Sequence, residues 1–387
     1  MAENKKIILK TQQDIEDFIV GCTFYGTGGG GFPEIGQDAL LDLWKKGKEI
    51  AWDTVEDRED DIYTACPFFM GSMAATTPEI IQERQRLGAL DPGYTYLECL
   101  ENSIRMLERR GQVTIELLIP GEPGGSNMPL CLAAGIELGI AVADGDYSGG
   151  RAIPGMDQGL LSIRNKNILP MVISDLWGNQ CVLEHTSNDG MLERIGKHLS
   201  MASFGATGNA AYLMSFKEAR EVMTTGTLSK CYEVGRLIRT CAGQGKHPVS
   251  EMISKLNGFL LGEGEIISIC AKDEGGYYQG EFIIQEAGSS KDAVMSVWFK
   301  NENHIFKRNH RIEATSPDFI ITVDTDTGRP FVNSALRTGM KVSVIGLPAD
   351  RQYRTADVLS VFGPRAFGVD MEYQPIEALC SGRLGKG

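Results

Sequence analysis

Asp144 and Asp146 stand one glycine apart in the run ADGDYSGGR. At i and i+2, their carboxylates project to one side if the chain is extended there. Two acids so placed can hold a divalent cation, or share a proton so that one acts as acid and the other as base. Glu122 and Asn127 precede them in GEPGGSN, and Arg151 follows them. If these five side chains meet in one crevice, the carboxylates should split their pKa values into an acid and a base. The plainer reading is a set of tight turns carrying solvated charges. Cys66, in TACPFFMGS, reads as a nucleophile, a metal ligand or a small buried hydrophobe. His185, directly after Glu184, reads as a base, a ligand or a hydrogen-bonded structural residue. A divalent metal held by Asp144, Asp146 and His185 therefore stays open, although no cofactor is obligatory. The histidines form no H-E-x-x-H spacing and the chain has no G-x-S-x-G elbow.

The elements that must position these residues can be read around them. Val113–Ile119 (VTIELLI) is a short apolar run with the look of a buried strand. Ser126 or Asn127 is expected to cap a helix over Met128–Leu138, which Gly139 ends. A second strand, Ile140–Ala143, then runs into Asp144. In such a β-α-β unit both strand exits lie on one edge of a parallel sheet, so the residues just past them converge. Earlier in the chain, GTGGGG puts five glycines into six positions, Gly26 to Gly31. It lies between a helix carrying Ile15, Phe18 and Ile19 and a second helix opened by Pro33. No Gly-Lys-Ser/Thr follows, so it is not a Walker loop, and a helix rather than a strand precedes it. Glycines allow close backbone approach and can turn N–H groups towards an anion. Gly28, Gly29, Gly30 and Gly31 are thus expected to face substrate, with a flexible linker as the alternative.

The 387 residues exceed one comfortable core, so two domains are expected. After Gly258 the texture changes to period-2, β-branched runs: Ile266–Ala271, Gly280–Gln285, Met295–Phe299, Asp318–Val323, Lys341–Gly346 and Val358–Phe362. The expected fold is an α/β domain over 1–257, with a mixed or parallel sheet flanked by helices, then a mainly-β domain over 258–387. A net charge of −13 argues against nucleic-acid or anionic-membrane partners. No apolar run approaches the ~18 residues of a spanning helix, and the start, MAENKKIILKTQQD, lacks the apolar segment of a signal peptide. Nine scattered cysteines without a C-x-x-C pair suit reduced thiols in the cytoplasm. A small-molecule substrate is the expected partner, and self-association is left open.

The combination of GTGGGG, GEPGGSN and DGDYSGGRAIP with TTGTLSKCYEVGRLI, SPDFIITVDTDTGRP, LRTGMKVSVIGLPA and FGPRAFGVDMEY resembles the S-methyl thiohydantoin desulfurase family. The resemblance runs along nearly the whole chain in order. It implies an N-terminal α/β domain, a β-rich C-terminal domain and a cytosolic bacterial or archaeal hydrolase. The implied reaction adds water at C2 of an S-methylated thiohydantoin and releases methanethiol. That chemistry would use Asp144 or Asp146 as base, Glu122 as partner acid, Asn127 and glycine N–H groups as donors, and Arg151 as a carboxylate clamp. A covalent route through Cys66 and a metal-bound hydroxide are the rival mechanisms. The rival function is a non-catalytic small-molecule-binding or accessory protein of a hydantoinase or oxoprolinase system, with hydantoinase-type enzymes as partners.

Overall fold

Two large sheets carry most strands of the computed structural model, which describes residues 6–56, 58–74, 76–288 and 294–380, and two short antiparallel pairs, Lys6–Leu9 with Ile50–Asp53 and Gly145–Asp146 with Thr224–Thr225, stand beside them. The first five residues of the sequence, part of the stretch read for a signal segment, lie outside the described residues. The first sheet uses β1 (Tyr63–Met70), β2 (Ile115–Leu118), β3 (Ala141–Val142), β4 (Met171–Ser174), β5 (Gln180–Leu183) and β6 (Thr207–Ser215). Their order is β3-β2-β1-β6-β4-β5, with β1, β2 and β3 parallel and the remaining pairs antiparallel. β1 is apolar without alternation because both of its faces are covered.

The helices on this sheet are α1 (Gln12–Tyr25), α2 (Pro33–Lys45), α3 (Pro78–Arg86), α4 (Tyr96–Gly111), α5 (Asn127–Leu138), α6 (Asp189–Ala202) and α7 (Thr227–Gly243). Capping boxes at Thr11/Asp14 and Thr95/Glu98 start α1 and α4. α5 is buried continuously from Asn127 to Gly135, as a helix apolar all round must be. Gly139 ends it at φ +70°, the left-handed C-terminal geometry.

The second sheet contains β7 (Phe259–Glu274), β8 (Tyr277–Glu286), β9 (Val294–Lys300), β10 (Glu302–Arg308), β11 (Arg311–Thr315), β12 (Phe319–Asp324) and β13 (Lys341–Leu347). All its pairs are antiparallel, in the order β11-β10-β9-β8-β7-β13-β12. The molecule is therefore an N-terminal mixed sheet with helices joined to a C-terminal, mostly antiparallel half. Among the described residues no helix is long and apolar enough to cross a membrane.

Two local expectations give way, and one strand lacks a signal in the sequence. Val358–Phe362 is part of a helix, Ala356–Phe362, because Val358 and Phe362 are buried together at the i, i+4 spacing of one helical face. Leu160–Ile163 (LLSI), whose apolar run suggests a short strand, is a single helical turn. β6, which separates β1 from β4, has no β-rich signature in GATGNAAYLMS. Its small residues fit where α4 crosses it: a Cβ on Gly208 would lie 2.9 Å from the Cys99 backbone.

Candidate active site

A cleft of 620 Å³ is walled by both halves of the molecule, with Gly30, Glu122, Asn127 and Lys197 from the first and Asn301 and Glu302 from the second. Glu122 stands in the turn between β2 and α5. Its carboxylate accepts from the Ile153 N–H at 2.7 Å and from Asn127 Nδ2 at 2.5 Å. Asn127 Oδ1 in turn accepts from the Phe69 N–H at 3.2 Å, which fixes the amide between β1 and the acid. This use of Asn127 corrects the capping expectation. Ser126 occupies the cap position of α5 without a side-chain bond to the helix, and Asn127 is its first helical residue.

Glu302 approaches from the other sheet. β9 reverses into β10 at Asn301, whose φ of +58° is one that Asn tolerates. The Glu302 side chain is 2% exposed and accepts from the Gly30 N–H. Its Oε2 has no hydrogen-bond partner among the described residues. Burial, together with the negative charge of Glu302, pushes the Glu122 carboxyl up to about 8. Burial pushes Glu302 up to about 7, opposed by Lys197 and Arg151. The charge of Glu302 thus adds to burial in raising the proton affinity of Glu122, and both acids hold a proton more readily than an exposed glutamate does.

Lys197 supplies the positive charge of this cleft. It sits on α6, 4% exposed, with Nζ donating to the Gly71 carbonyl at 3.1 Å and lying 3.9 Å from Glu193 Oε1. Its ammonium also lies over the Tyr277 ring, 4.3 Å from the centroid. Tyr277 belongs to the β7–β8 hairpin, and its hydroxyl donates to Glu193.

The glycine loop joins the two halves at this point. Gly30, at φ +73°, crosses the Glu122 turn so closely that a Cβ on it would lie 2.4 Å from Gly124 Cα. Its carbonyl accepts from the N–H groups of Ser126 and Asn127. Gly30 and Gly31 do line the cleft. Gly28 and Gly29 do not, a correction to the expectation that all four face substrate. The Gly28 carbonyl accepts from the Asn333 N–H at 2.7 Å, and a Cβ on Gly29 would meet Glu302 Oε1 at 1.9 Å.

The other expected members of the crevice are elsewhere. The strand ends at Val142, and the two aspartates that follow take different partners. Asp144 accepts from the N–H and hydroxyl of Ser229 and so caps α7. Asp146 is wholly buried and accepts from the N–H groups of Ser148 and Gly150, while burial pushes its carboxyl up to about 6. Arg151 is 1% exposed, and its guanidinium donates to the carbonyls of Ala152, Pro317, Asp318 and Asn303. With its donors spent on main chain it has no fork to offer a substrate carboxylate. His185 is exposed just beyond β5, the sheet edge opposite β3 and the aspartates, so the expected metal trio does not assemble. Among the described residues no group of three or more His, Cys, Asp or Glu is placed to hold a metal ion. Cys66 lies in the middle of β1 rather than at its end, near the cleft, with burial holding its thiol well above the ordinary range.

Glu302 and Lys197 were not singled out by sequence reasoning. The polar run Lys300-Asn301-Glu302-Asn303-His304, which interrupts an otherwise apolar β texture, was the signal for the first. Lys197, four residues after Glu193 on a helix, has the pattern of an ordinary surface ion pair.

No curated protein gives a significant match. A crystal structure of a protein from Chromobacterium violaceum superposes with a TM-score of 0.74 at 19% identity, covering 96% of this chain and 100% of that one. At that identity it attests the fold. The sequence model of the S-Me-THD-like N-terminal domain matches residues 13–185, and that of the S-Me-THD-like C-terminal domain matches residues 187–376. With both models matched in order over nearly its whole length, this chain belongs to the S-Me-THD-like family, that of the S-methyl thiohydantoin desulfurases.

Proposed function

We propose that the cleft hydrolyses a thiohydantoin- or hydantoin-like heterocycle, adding water at the ring C2 of an S-methylated thiohydantoin and releasing methanethiol. The observation that carries this reading is the buried pair Glu122–Glu302, two acids of raised proton affinity that line one cleft with a lysine, one of them with an unpartnered oxygen. The reaction forms a C–O bond and breaks a C–S bond, leaving a carbonyl on the ring. Glu302, with an unpartnered oxygen, takes the proton of the attacking water. Glu302 passes that proton to the ring nitrogen, Glu122 delivers its own to the departing sulfur, and the proton that the new hydroxyl loses as it becomes the ring carbonyl returns to the pair. The Lys197 ammonium offsets the negative charge that develops on the substrate. Direct attack by water suits this arrangement better than a covalent route, because Cys66 is held as the thiol.

Purified protein incubated with an S-methyl thiohydantoin should release a thiol measurable with a chromogenic thiol reagent. Glu302→Gln and Glu122→Gln should each lower kcat by ~10²–10⁴-fold. Absence of thiol release from the unaltered protein overturns the proposal. Tight binding without turnover would instead favour an accessory role.

A further inference from the structure

Behind Glu122 the cleft continues into a recess of 70 Å³, lined by Cys66, Phe68, Met70, Tyr147, Leu161 and Tyr212. Glu122, Asn127 and Lys197 belong to both spaces and therefore stand at the mouth between them. The recess is less than half the ~150 Å³ of an apolar cavity that holds a benzene ring, so it suits a group of about two or three heavy atoms. Its wall has a particular chemistry. Three sulfurs, those of Cys66, Met70 and Met156, and four aromatic rings line the space, and the Tyr212 hydroxyl is engaged with Ser162 Oγ at 3.0 Å. Polarisable sulfur and ring faces favour a thioether or thiol over water or a charged group. The floor is set by Gly121, where a Cβ would lie 3.3 Å from Cys66 Sγ and 3.6 Å from the Phe68 Cβ, projecting into the narrow end.

We infer that this recess is the binding subsite for the S-alkyl group of the substrate, and that its size restricts that group to methyl. The inference rests on the hydrolase reading above and adds the element of selectivity. In the reacting complex the S-methyl carbon points between Cys66 and the aromatic rings, with C2 of the ring at the mouth beside Glu122. As the C–S bond breaks, the electron pair leaves with sulfur, the proton from the Glu122 carboxyl neutralises it, and the product thiol is released as a small apolar molecule into a pocket that solvates it. The heterocycle itself stays in the wide cleft.

Three compounds that share one ring and carry S-methyl, S-ethyl or S-benzyl test this directly, with thiol release as the readout. The unaltered protein should lose about 10-fold in kcat/KM from methyl to ethyl and at least about 100-fold to benzyl, in line with what an extra methylene costs where an apolar wall meets it. Gly121→Ala, which adds one methyl group to the floor, should lower kcat/KM for S-methyl. Met156→Ala, which widens a wall formed by a half-buried side chain, should raise the S-ethyl to S-methyl ratio several-fold. Thiol release at equal efficiency from all three compounds, unmoved by either substitution, overturns the subsite and leaves the hydrolase reading standing. No thiol from any of them overturns both.

Discussion

At the scale of single residues, the chemistry turns on how Glu122 is held. Its bond from Asn127 Nδ2 stabilises the ionised form, while the charge of Glu302 opposes it. Removing each neighbour should therefore move the acid in opposite directions. In Asn127→Ala the Glu122 carboxyl should titrate higher than about 8, with turnover down ~10- to 100-fold because the acid is no longer positioned. In Glu302→Gln it should titrate lower. Carbon-13 NMR of the labelled carboxyls checks both, and movement in the same direction would show that the two acids are not coupled. Glu122 and Asn127 were legible in the sequence because a strand-turn-helix of a dozen residues fixes them locally. Glu302 was not, since what makes it a partner is the docking of a second sheet. The aspartates misled for a related reason. Their i, i+2 spacing has meaning only in one continuous strand, and the chain bends at Asp144 between Ala141–Val142 and a separate short strand, Gly145–Asp146.

At the scale of elements, the glycine loop is a contact surface more than a ligand cradle. Gly29→Ala is the sharp test, because the added methyl group has no strained φ to contend with and its nearest neighbours are atoms of the Glu302 side chain. We expect kcat to fall by ~10-fold or more with a Tm change of only a few degrees. If Gly29→Ala is as active as the unaltered protein, Glu302 is not held where the base must be. The elements themselves were readable wherever periodicity was strong. α1, α4 and α5 follow capping and apolar spacing, and the long antiparallel strands follow alternation. β6 escaped notice because its place in the sheet comes from small residues that fit beneath α4, a tertiary reason with no period. Val358–Phe362 escaped because five apolar residues suit either period, and burial of one face decided it.

At the scale of the whole molecule, the two halves are locked rather than merely adjacent. Arg151 crosses from the first to the second and satisfies carbonyls at Asn303, Pro317 and Asp318. Arg151→Ala would orphan those buried acceptors, and its effect should fall on stability: at least ~3 kcal/mol lost in denaturant unfolding. A raised KM with unchanged stability would restore the substrate-clamp reading. The sheets change at Phe259, whereas the family's two sequence models meet between residues 185 and 187, so a domain boundary near residue 258 is a proposal founded on strand content. The pH dependence of stability follows from the same burial. Glu122 and Glu302 titrate near 4.5 when unfolded and at about 8 and about 7 when folded, so between those values the folded protein binds more protons. Their contribution is complete below about pH 4.5 and is lost as pH rises through 7 to 8. His304, buried and held neutral, acts oppositely and costs stability below about 6.5. Thermal unfolding followed from pH 6.5 to 9 should show a falling Tm, and the double variant Glu122→Gln/Glu302→Gln should flatten that fall. A slope unchanged by the double variant would mean the pair is not protonated in the folded state.

The crossing of Gly30 over Gly124 has a bearing on how such a protein can change over generations. Main chain packs on main chain there, so the glycine loop that bonds both the Glu122 turn and Glu302 holds its place through backbone contacts and not through a side chain free to drift. The outer walls of the cleft are different. α3 has no buried residue, and Ile80, Glu83 and Leu87 reach the cleft from its solvent side. A lineage could exchange those walls for others without disturbing the proton pair, acquiring new ring substituents while keeping the same bond-breaking step. Divergence of substrate should therefore be written in α3 and its neighbours, and constancy of reaction in the glycines.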